Sequence, residues 1–191
     1  MRQTIVGLLK ERTGHFAFES GHHGATWLEL EKLFLEPGKV RPIVEALSAR
    51  LARHAPEAIC GPLTEGAFLA LLVALELGLP FAYTQREHRD GAAIYRIAPA
   101  LAAELHGLRV AVIDDVINAG SAVSATLAAL KAAGAQPVAL GAMAVYGGAA
   151  AALASAQELP LETLDTRPGR IWDAADCPLC AEGIPLDQVA V

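Results

Sequence analysis

The sequence predicts an α/β fold: a doubly wound, mainly parallel sheet flanked by helices, with a small N-terminal hairpin lobe. Short apolar runs alternate with segments of helical period along most of the 191 residues. Residues 108–113 form an almost continuous apolar run that leads into Asp114 and Asp115, as expected for a strand buried on both faces. A turn, a segment with an apolar stripe and a second apolar run follow, and this order predicts a βαβ unit.

Length and composition predict one domain over residues 1–191, without a membrane span or a nucleic-acid partner. The chain is 53% hydrophobic, but its longest apolar stretch, residues 67–75, is too short to cross a bilayer. The net charge of −6, without a block of like charges, argues against nucleic-acid binding. Charges flank the short apolar segment near the N-terminus, which is unlike a signal peptide, and we expect a cytoplasmic location.

Residues 1–36 are expected to form a hood that precedes the core. A short helix is predicted over residues 5–12, ended by Gly14. The stretch GHFAFESGHHG, residues 14–24, alternates polar and apolar residues between glycines. This pattern is typical of a β-hairpin.

The core is predicted over residues 37–165 and begins with an amphipathic helix over residues 37–54. A short strand at 58–60 precedes Thr64, which is placed to cap a helix over residues 65–77. The next strand covers residues 79–84. Residues 85–90, QREHRD, are polar throughout and predict a mobile exposed loop, with a further strand at 93–97.

The second half of the core continues the alternation of strands and helices. After the strand that ends in the two acids, Ser121 is placed to cap a helix that Gly134 ends. A buried strand over 138–145, a helix over 149–157 and a strand over 161–164 follow. Residues 166–191 are assigned to a C-terminal tail, and residues 171–191 are expected to be irregular.

The carboxyl end of the strand over residues 108–115 is the best candidate for a binding site. Ligands of doubly wound sheets bind outside the carboxyl ends of the strands. A loop of small residues that opens a helix presents backbone N–H groups, so residues 118–122 suit a phosphate. Asp114 and Asp115 would repel that phosphate and need a vicinal diol or a metal ion instead. A phosphorylated ribose presents both a phosphate for the loop and a vicinal diol for the acids. The alternative is that the acids merely end the strand and cap the turn.

The stretch VAVIDDVINAGSA resembles the phosphoribosyl-diphosphate (PRPP) motif of type I phosphoribosyltransferases. GHFAFESGHHG, CGPLTEGAFLA, TQREHRDG and the tail CPLCAEGIPL extend the resemblance over most of the chain, toward the orotate phosphoribosyltransferase branch. The resemblance implies a 5-phosphate loop of Asn118, Ala119, Gly120, Ser121 and Ala122, and a diphosphate loop of Gly61, Pro62, Leu63 and Thr64. Its implied catalytic residues are Asp114, Asp115, Arg86, His88 and Arg89.

The resemblance also implies a reaction and its partners. A 5-phosphoribosyl group passes from PRPP to the ring nitrogen of a pyrimidine-type base, and diphosphate leaves. Mg²⁺ enters with PRPP, held largely by the diphosphate, so no protein metal site is expected. A homodimer is implied too, because in this branch the catalytic loop reaches over the neighbouring subunit's site.

Three departures from the orotate branch concern the charges around the substrates. The catalytic loop lacks lysine, which leaves Arg86 and Arg89 to bind diphosphate and His88 as its proton donor. Glu19 stands where Lys is usual, and Tyr146 with Gly147 stands where an Asp-Arg pair is usual. His22, His23 and Tyr146 are therefore the candidates for contacting the base.

Two alternatives to an orotate enzyme stay open. One is a transferase for another base, which Glu19 and Tyr146 favour; the other is a regulatory protein that binds PRPP without turnover, which the lysine-free loop favours. Cys177 and Cys180 have the spacing of half a zinc site. The third cysteine, Cys60, is predicted on a distant strand, so a tail without metal is expected.

Overall fold

The computed structural model describes residues 7, 9–18, 20–30, 32–89 and 92–188, with the backbone alone for residues 88, 89, 92 and 93. The strands are β1 (Glu11–Ala17), β2 (His22–Leu28), β3 (Ala58–Pro62), β4 (Phe81–Arg89), β5 (Ala92–Arg96), β6 (Arg109–Ile117), β7 (Gln136–Tyr146), β8 (Leu161–Arg167) and β9 (Ile171–Asp173). The α-helices are α1 (Pro37–Leu51), α2 (Glu65–Leu77), α3 (Pro99–Leu105), α4 (Ser121–Ala132), α5 (Ala149–Ala156) and α6 (Pro178–Ala181). Short 3₁₀ turns lie at Ala52–His54 and Ala174–Asp176.

The main sheet has six strands in the order β5-β4-β3-β6-β7-β8. All neighbouring pairs are parallel except β4 and β5. Strand β6 is buried on both faces: Ala111 and Ile113 join the core under α1 and α2, while Val110 and Val112 join the core under α4 and α5. The sheet therefore has helices on both sides, and the predicted doubly wound fold is confirmed.

The predicted hairpin in the hood is confirmed, and the hood has a third strand. Strands β1 and β2 pair in antiparallel fashion, and β9 adds to the other edge of β2. The prediction of an irregular tail over residues 171–191 is wrong, because β9, a 3₁₀ turn and α6 lie within it. Pairing with β2 supplies the hydrogen bonds that make β9 a strand, and no local pattern shows that partner.

Two further predicted segments differ from the structure. The helix over residues 5–12 does not reach its predicted end, because Glu11 and Arg12 pair with β2 as the start of β1. Of the other six positions, residues 5, 6 and 8 lie outside the described residues. The exposed loop over residues 85–90 is also wrong for 85–89, which continue β4 and pair with β5. Antiparallel backbone hydrogen bonds hold this polar segment, and they need no apolar side chains.

Neither of the two predicted helix caps forms. Thr64 precedes α2 but its side chain makes no capping hydrogen bond. The residue before α4 is Gly120, at φ +78°, so Ser121 is already the first helical residue. Glycine tolerates this left-handed conformation, which turns the chain sharply from β6 into α4. Among the described residues, no helix is long and apolar enough to span a membrane.

Candidate active site

A cavity of about 430 Å³ lies beyond the carboxyl end of β6, and we call it the first cavity. The whole predicted phosphate loop lines it: Asn118, Ala119, Gly120, Ser121 and Ala122. This loop leads into α4, a helix of 12 residues. The first N–H groups of a helix have no partner within the helix, and the helix dipole adds positive potential there. The first cavity can therefore hold a phosphate against the start of α4.

Asp114 lies at the edge of the first cavity, and Asp115 is buried beside it. Asp114 Oδ1 accepts a hydrogen bond of 3.1 Å from the Asp115 N–H. Both acids lie inside β6, which continues to Ile117, so they neither end the strand nor cap the turn. Asp115 Oδ2 is buried without a hydrogen-bond partner in the part of the chain that the structure describes.

Burial raises the pKa of both carboxyl groups. For Asp114 the pKa lies well above its ordinary value, because of desolvation first and the charge of Asp115 second. Desolvation raises the pKa of Asp115 to about 6, against hydrogen bonds that lower it. Glu65 adds a smaller repulsion to each acid. Hydroxyl donors or a cation at the first cavity would stabilise the charged forms.

Gly66, at the start of α2, is a site residue that the sequence motifs do not mark. A Cβ added there would lie 2.3 Å from Asp114 Oδ1 and 3.1 Å from the Pro62 ring. Glycine at this position therefore makes room for the Asp114 carboxylate. The motif shows only that a small residue follows Glu65, and the contact comes from the packing of α2 against β6.

A second cavity, of about 650 Å³, adjoins the first on the side of β4. Leu63 and Thr64 line it, whereas Gly61 and Pro62 are buried as the end of β3. The Leu63–Thr64 peptide bond is cis, and the Leu63 N–H donates to the Thr84 carbonyl at 2.9 Å. A Cβ on Gly61 would lie 2.7 Å from the Gly66 carbonyl oxygen. Of the four predicted loop residues, Gly61 and Pro62 are therefore buried, and Leu63 and Thr64 form the rim of the second cavity.

Arg86 is the predicted catalytic cation that the structure places at the site. It lines both the first and the second cavity, half-buried at the middle of β4. The side chains of His88 and Arg89 lie outside the described residues, and their catalytic roles stay predictions. Phe18 and Asn118 also line both cavities. A single ligand could therefore occupy the two cavities with Arg86 beside it.

A third cavity, of about 330 Å³, lies between the hood and the end of β7. His22 and Tyr146, two of the three residues predicted to contact a base, line it together with Asn118 and Asp173. His22 Nε2 lies 3.2 Å from Asp173 Oδ1, and its Nδ1 lies 3.1 Å from Ser20 Oγ. Asn118 therefore stands where all three cavities meet.

Tyr146 belongs to a charged network behind the third cavity. Its hydroxyl donates to Glu11 Oε1 at 2.7 Å and lies 3.1 Å from the Arg167 guanidinium. Arg167 also contacts Glu11, and it donates to Asp165 Oδ2 at 2.7 Å. Burial and the Asp165 charge raise the pKa of Tyr146 to about 12.

Arg167 is a second residue that sequence reasoning misses, since the strand over residues 161–164 was predicted to end before it. Strand β8 runs to Arg167 and places it opposite Tyr146. His23, in contrast, lines none of the three described cavities and lies beside His15, Cys177 and Cys180. Glu19 lies outside the described residues.

The phosphoribosyl transferase domain model matches residues 37–167, which is more than half of the chain. The chain belongs to this family. The orotate phosphoribosyltransferase of Thermotoga maritima is 29% identical over 188 residues, covering 96% of this chain and 92% of that protein. The orotate phosphoribosyltransferase of Thermus thermophilus is 27% identical over 179 residues, covering 92% of each chain. The family expected from the sequence motifs is confirmed, and both of these relatives carry the name of the branch that the motifs resemble.

Solved structures share the fold. Orotate phosphoribosyltransferase from Aeropyrum pernix superposes with a TM-score of 0.66 at 21% identity, covering 86% of this chain and 90% of that one. Adenine phosphoribosyltransferase from Thermoanaerobacter pseudethanolicus gives 0.69 at 15% identity, covering 87% and 99%. Since enzymes for different bases share this fold, the likeness does not identify the base.

Proposed function

We propose that this protein is an orotate phosphoribosyltransferase-like enzyme, which transfers 5-phosphoribosyl from PRPP to a pyrimidine-type base and releases diphosphate. One observation carries the proposal: three cavities meet at Asn118. The phosphate loop lines the first cavity, Leu63 and Thr64 line the second, and His22 and Tyr146 line the third. PRPP and a base have matching parts: a 5-phosphate, a diphosphate and a ring around one ribose. The orotate phosphoribosyltransferase relatives support the pyrimidine assignment.

In this proposal the 5-phosphate binds the loop from Asn118 to Ala122, at the start of α4. Asp114 and Asp115 accept hydrogen bonds from the ribose hydroxyls. Their raised pKa values fit this role, because each bond to a hydroxyl replaces part of the hydration lost on burial. The ribose is thereby held in one orientation as positive charge develops at its anomeric carbon.

The diphosphate is proposed to occupy the second cavity, between the Leu63–Thr64 rim and Arg86. A guanidinium binds a departing diphosphate through paired hydrogen bonds and stays charged throughout. Mg²⁺ would suit the border between the first and second cavities, since the half-buried Asp114 carboxylate, which lines the first cavity, is an oxygen ligand of the type that Mg²⁺ prefers. The ion would neutralise diphosphate charge, while the protein groups position the ribose.

The base is proposed to bind in the third cavity, between His22 and Tyr146. None of the described residues that line this cavity is Lys or Arg, and Asp173 adds a carboxylate. Arg167 lies behind Tyr146 and is engaged by Glu11 and Asp165. Orotate carries a carboxylate, and an anion without a paired cation is costly to bury. We therefore expect weak orotate binding.

A base panel tests the proposed function. Diphosphate release is measured with PRPP, Mg²⁺ and orotate, uracil, adenine or hypoxanthine in turn, and the orotate dissociation constant is measured with and without PRPP. Release with orotate alone is expected. Release only with another base would show that the enzyme is a transferase for that base. This is the second candidate function, and the absence of Lys and Arg among the described residues that line the third cavity favours it. PRPP binding without release for any base would identify a regulatory PRPP-binding protein.

We further propose that the enzyme works in the cytoplasm as a homodimer. Phe68, Leu71 and Leu75 form an apolar strip on the outer face of α2, and they are 43%, 48% and 78% exposed. Their spacing of three and four residues places them on one side of the helix. An apolar strip of this kind on a soluble chain suits contact with a second copy.

A further inference from the structure

Four side chains from both ends of the chain converge at one point in the hood. His15 Nε2 lies 3.1 Å from His23 Nδ1, 3.4 Å from Cys177 Sγ and 3.7 Å from Cys180 Sγ. Cys180 Sγ lies 3.2 Å from His23 Nδ1. All four atoms are within 4.8 Å of one another. The three cavities of the proposed active site include neither His15 nor either cysteine.

Hydrogen bonding within the cluster does not account for this convergence. His15 Nδ1 lies 2.7 Å from the Ile184 carbonyl, which can only accept, so Nδ1 carries the proton in the neutral ring. His15 Nε2 then presents a single lone pair, which one donor can use. His23 and the two cysteines nevertheless all approach this nitrogen. A cation in the middle of the four atoms would bind each of them through its own lone pair.

We infer that His15, His23, Cys177 and Cys180 form a structural zinc site. Two thiolates and two imidazoles are a ligand set that zinc takes in closed tetrahedral sites. With Zn–N of about 2.0 Å and Zn–S of about 2.3 Å, ligand atoms of a tetrahedral site lie about 3.3 to 3.8 Å apart. The four separations from 3.1 to 3.7 Å fit a shell of this size.

The surroundings of His15 fit a metal ligand. The bond from Nδ1 to the Ile184 carbonyl fixes the tautomer that presents Nε2, as outer partners of metal-bound histidines do. His15 is buried, and its backbone N–H donates to Asp187 Oδ2 at 2.9 Å, while the Asp187 N–H donates to the His15 carbonyl. The ring therefore has little freedom to leave the cluster.

The zinc ion would join the hood to the C-terminal tail. His15 belongs to β1 and His23 to β2, whereas Cys177 immediately precedes α6 and Cys180 lies within it. The sequence predicts a tail without metal, because it holds no second pair of cysteines and places Cys60 on a distant strand. Two histidines from the other end of the chain complete the ligand set, and His15 precedes Cys177 by 162 residues. His22, the neighbour of His23, faces the third cavity, so the zinc would also fix the strand that carries it.

Metal analysis of the full chain tests the site without reference to activity. The protein is expressed in zinc-supplemented medium and purified under reducing conditions, and zinc is measured by mass spectrometry. About one zinc per chain is expected, and excess Mg²⁺ should not displace it, because a thiolate-imidazole site disfavours Mg²⁺. Replacing zinc by Co²⁺ should give a thiolate charge-transfer band and the strong visible absorption of tetrahedral cobalt.

Two variants locate the ion. Cys180→Ser removes an exposed ligand and should lose the zinc and the cobalt spectrum. Cys60→Ala is the matched control, since Cys60 is buried on β3 and burial raises its pKa to about 12; it should keep both signals. Wild-type protein with neither zinc nor a cobalt spectrum would overturn the inference. Zinc retained by Cys180→Ser at the wild-type level would overturn it as well. The first result needs only the wild-type protein, so the test does not depend on the folding of a variant.

Discussion

At the scale of single residues, the pair Asp114 and Asp115 determines what the site can bind. Burial raises the pKa of both carboxyl groups, and the charge of Asp115 raises that of Asp114 further. Ionising the two groups therefore costs free energy in the folded protein that it does not cost in the unfolded chain. The absence of a side chain at Gly66 leaves room for the Asp114 carboxylate. The sequence motif indicates the acids, but their burial and the room that Gly66 leaves come from packing.

The double variant Asp114→Asn with Asp115→Asn should bind PRPP about 100-fold more weakly or worse, because two charge-assisted hydrogen bonds are lost. Titration calorimetry with PRPP and Mg²⁺ measures this change. Glu104→Gln removes an exposed charge on α3 and serves as the control. PRPP affinity of the double variant equal to that of wild type would contradict the ribose-binding role of the acids.

The raised pKa of Asp115 also predicts how stability varies with pH. The folded protein holds this proton up to about pH 6, whereas the ordinary pKa of an Asp carboxyl is 3.8. Between these values the folded state binds more protons, so its stability falls as pH rises. Asp115→Asn should therefore be more stable than wild type above pH ~6, by at most about 3 kcal/mol, with a difference that shrinks toward pH ~4. Denaturant unfolding at several pH values measures it, and a constant difference would contradict the assignment.

At the scale of elements, strands buried on both faces are predicted well from the sequence, and strands that depend on distant or polar partners are not. The apolar runs of β6 and β7 are visible because both faces contact core. The second half of β4 is polar and is held by its pairing with β5. Strand β9 pairs with β2, and the tail cysteines meet histidines of β1 and β2. No local pattern in the sequence contains these long-range contacts.

Two arginines of the β4–β5 hairpin are expected to differ in function: Arg86 lines the second cavity and is proposed to bind the diphosphate, whereas Arg96 does not line it. Arg86→Ala should lower the rate of diphosphate release by about 10- to 150-fold, since it removes a charged donor worth ~1.5–3 kcal/mol at the second cavity. Arg96→Ala is the matched control, because Arg96 lies on β5, is exposed and pairs with Glu87 at 3.2 Å. Steady-state rates of both variants decide the matter. Equal effects would mean that general charge on the hairpin, and not Arg86, binds the diphosphate.

At the scale of the whole molecule, the two ends of the chain together build the hood. Strand β9 completes the hood sheet, and Asp187 exchanges backbone and side-chain hydrogen bonds with His15. The family model ends at residue 167, before these contacts begin. The hood and tail therefore form a unit beside the core that the family model covers, and the third cavity lies where that unit meets the end of β7.

The apolar strip on α2 predicts how copies of the chain associate. Phe68 also packs edge-on against Phe34 at 5.6 Å between ring centres, which extends the apolar surface toward the exposed Leu35. Leu71→Glu with Leu75→Glu should convert a dimer to a monomer, because carboxylates buried at an apolar contact lose their hydration without gaining a partner. Folding should change little, since both side chains point outward from the core.

Sedimentation equilibrium of the wild type and the double variant measures this association. Leu186→Glu changes an exposed leucine of the tail, 46% exposed, and serves as the control that should stay dimeric. If the connection between β4 and β5 of one subunit reaches the neighbouring site, as the resemblance to orotate enzymes implies for the catalytic loop, the monomeric variant should also lose turnover while it keeps binding PRPP. A wild type that sediments as a monomer would contradict the dimer. A double variant that stays dimeric would move the interface away from α2, because two new carboxylates cannot both be accommodated in a dry apolar contact.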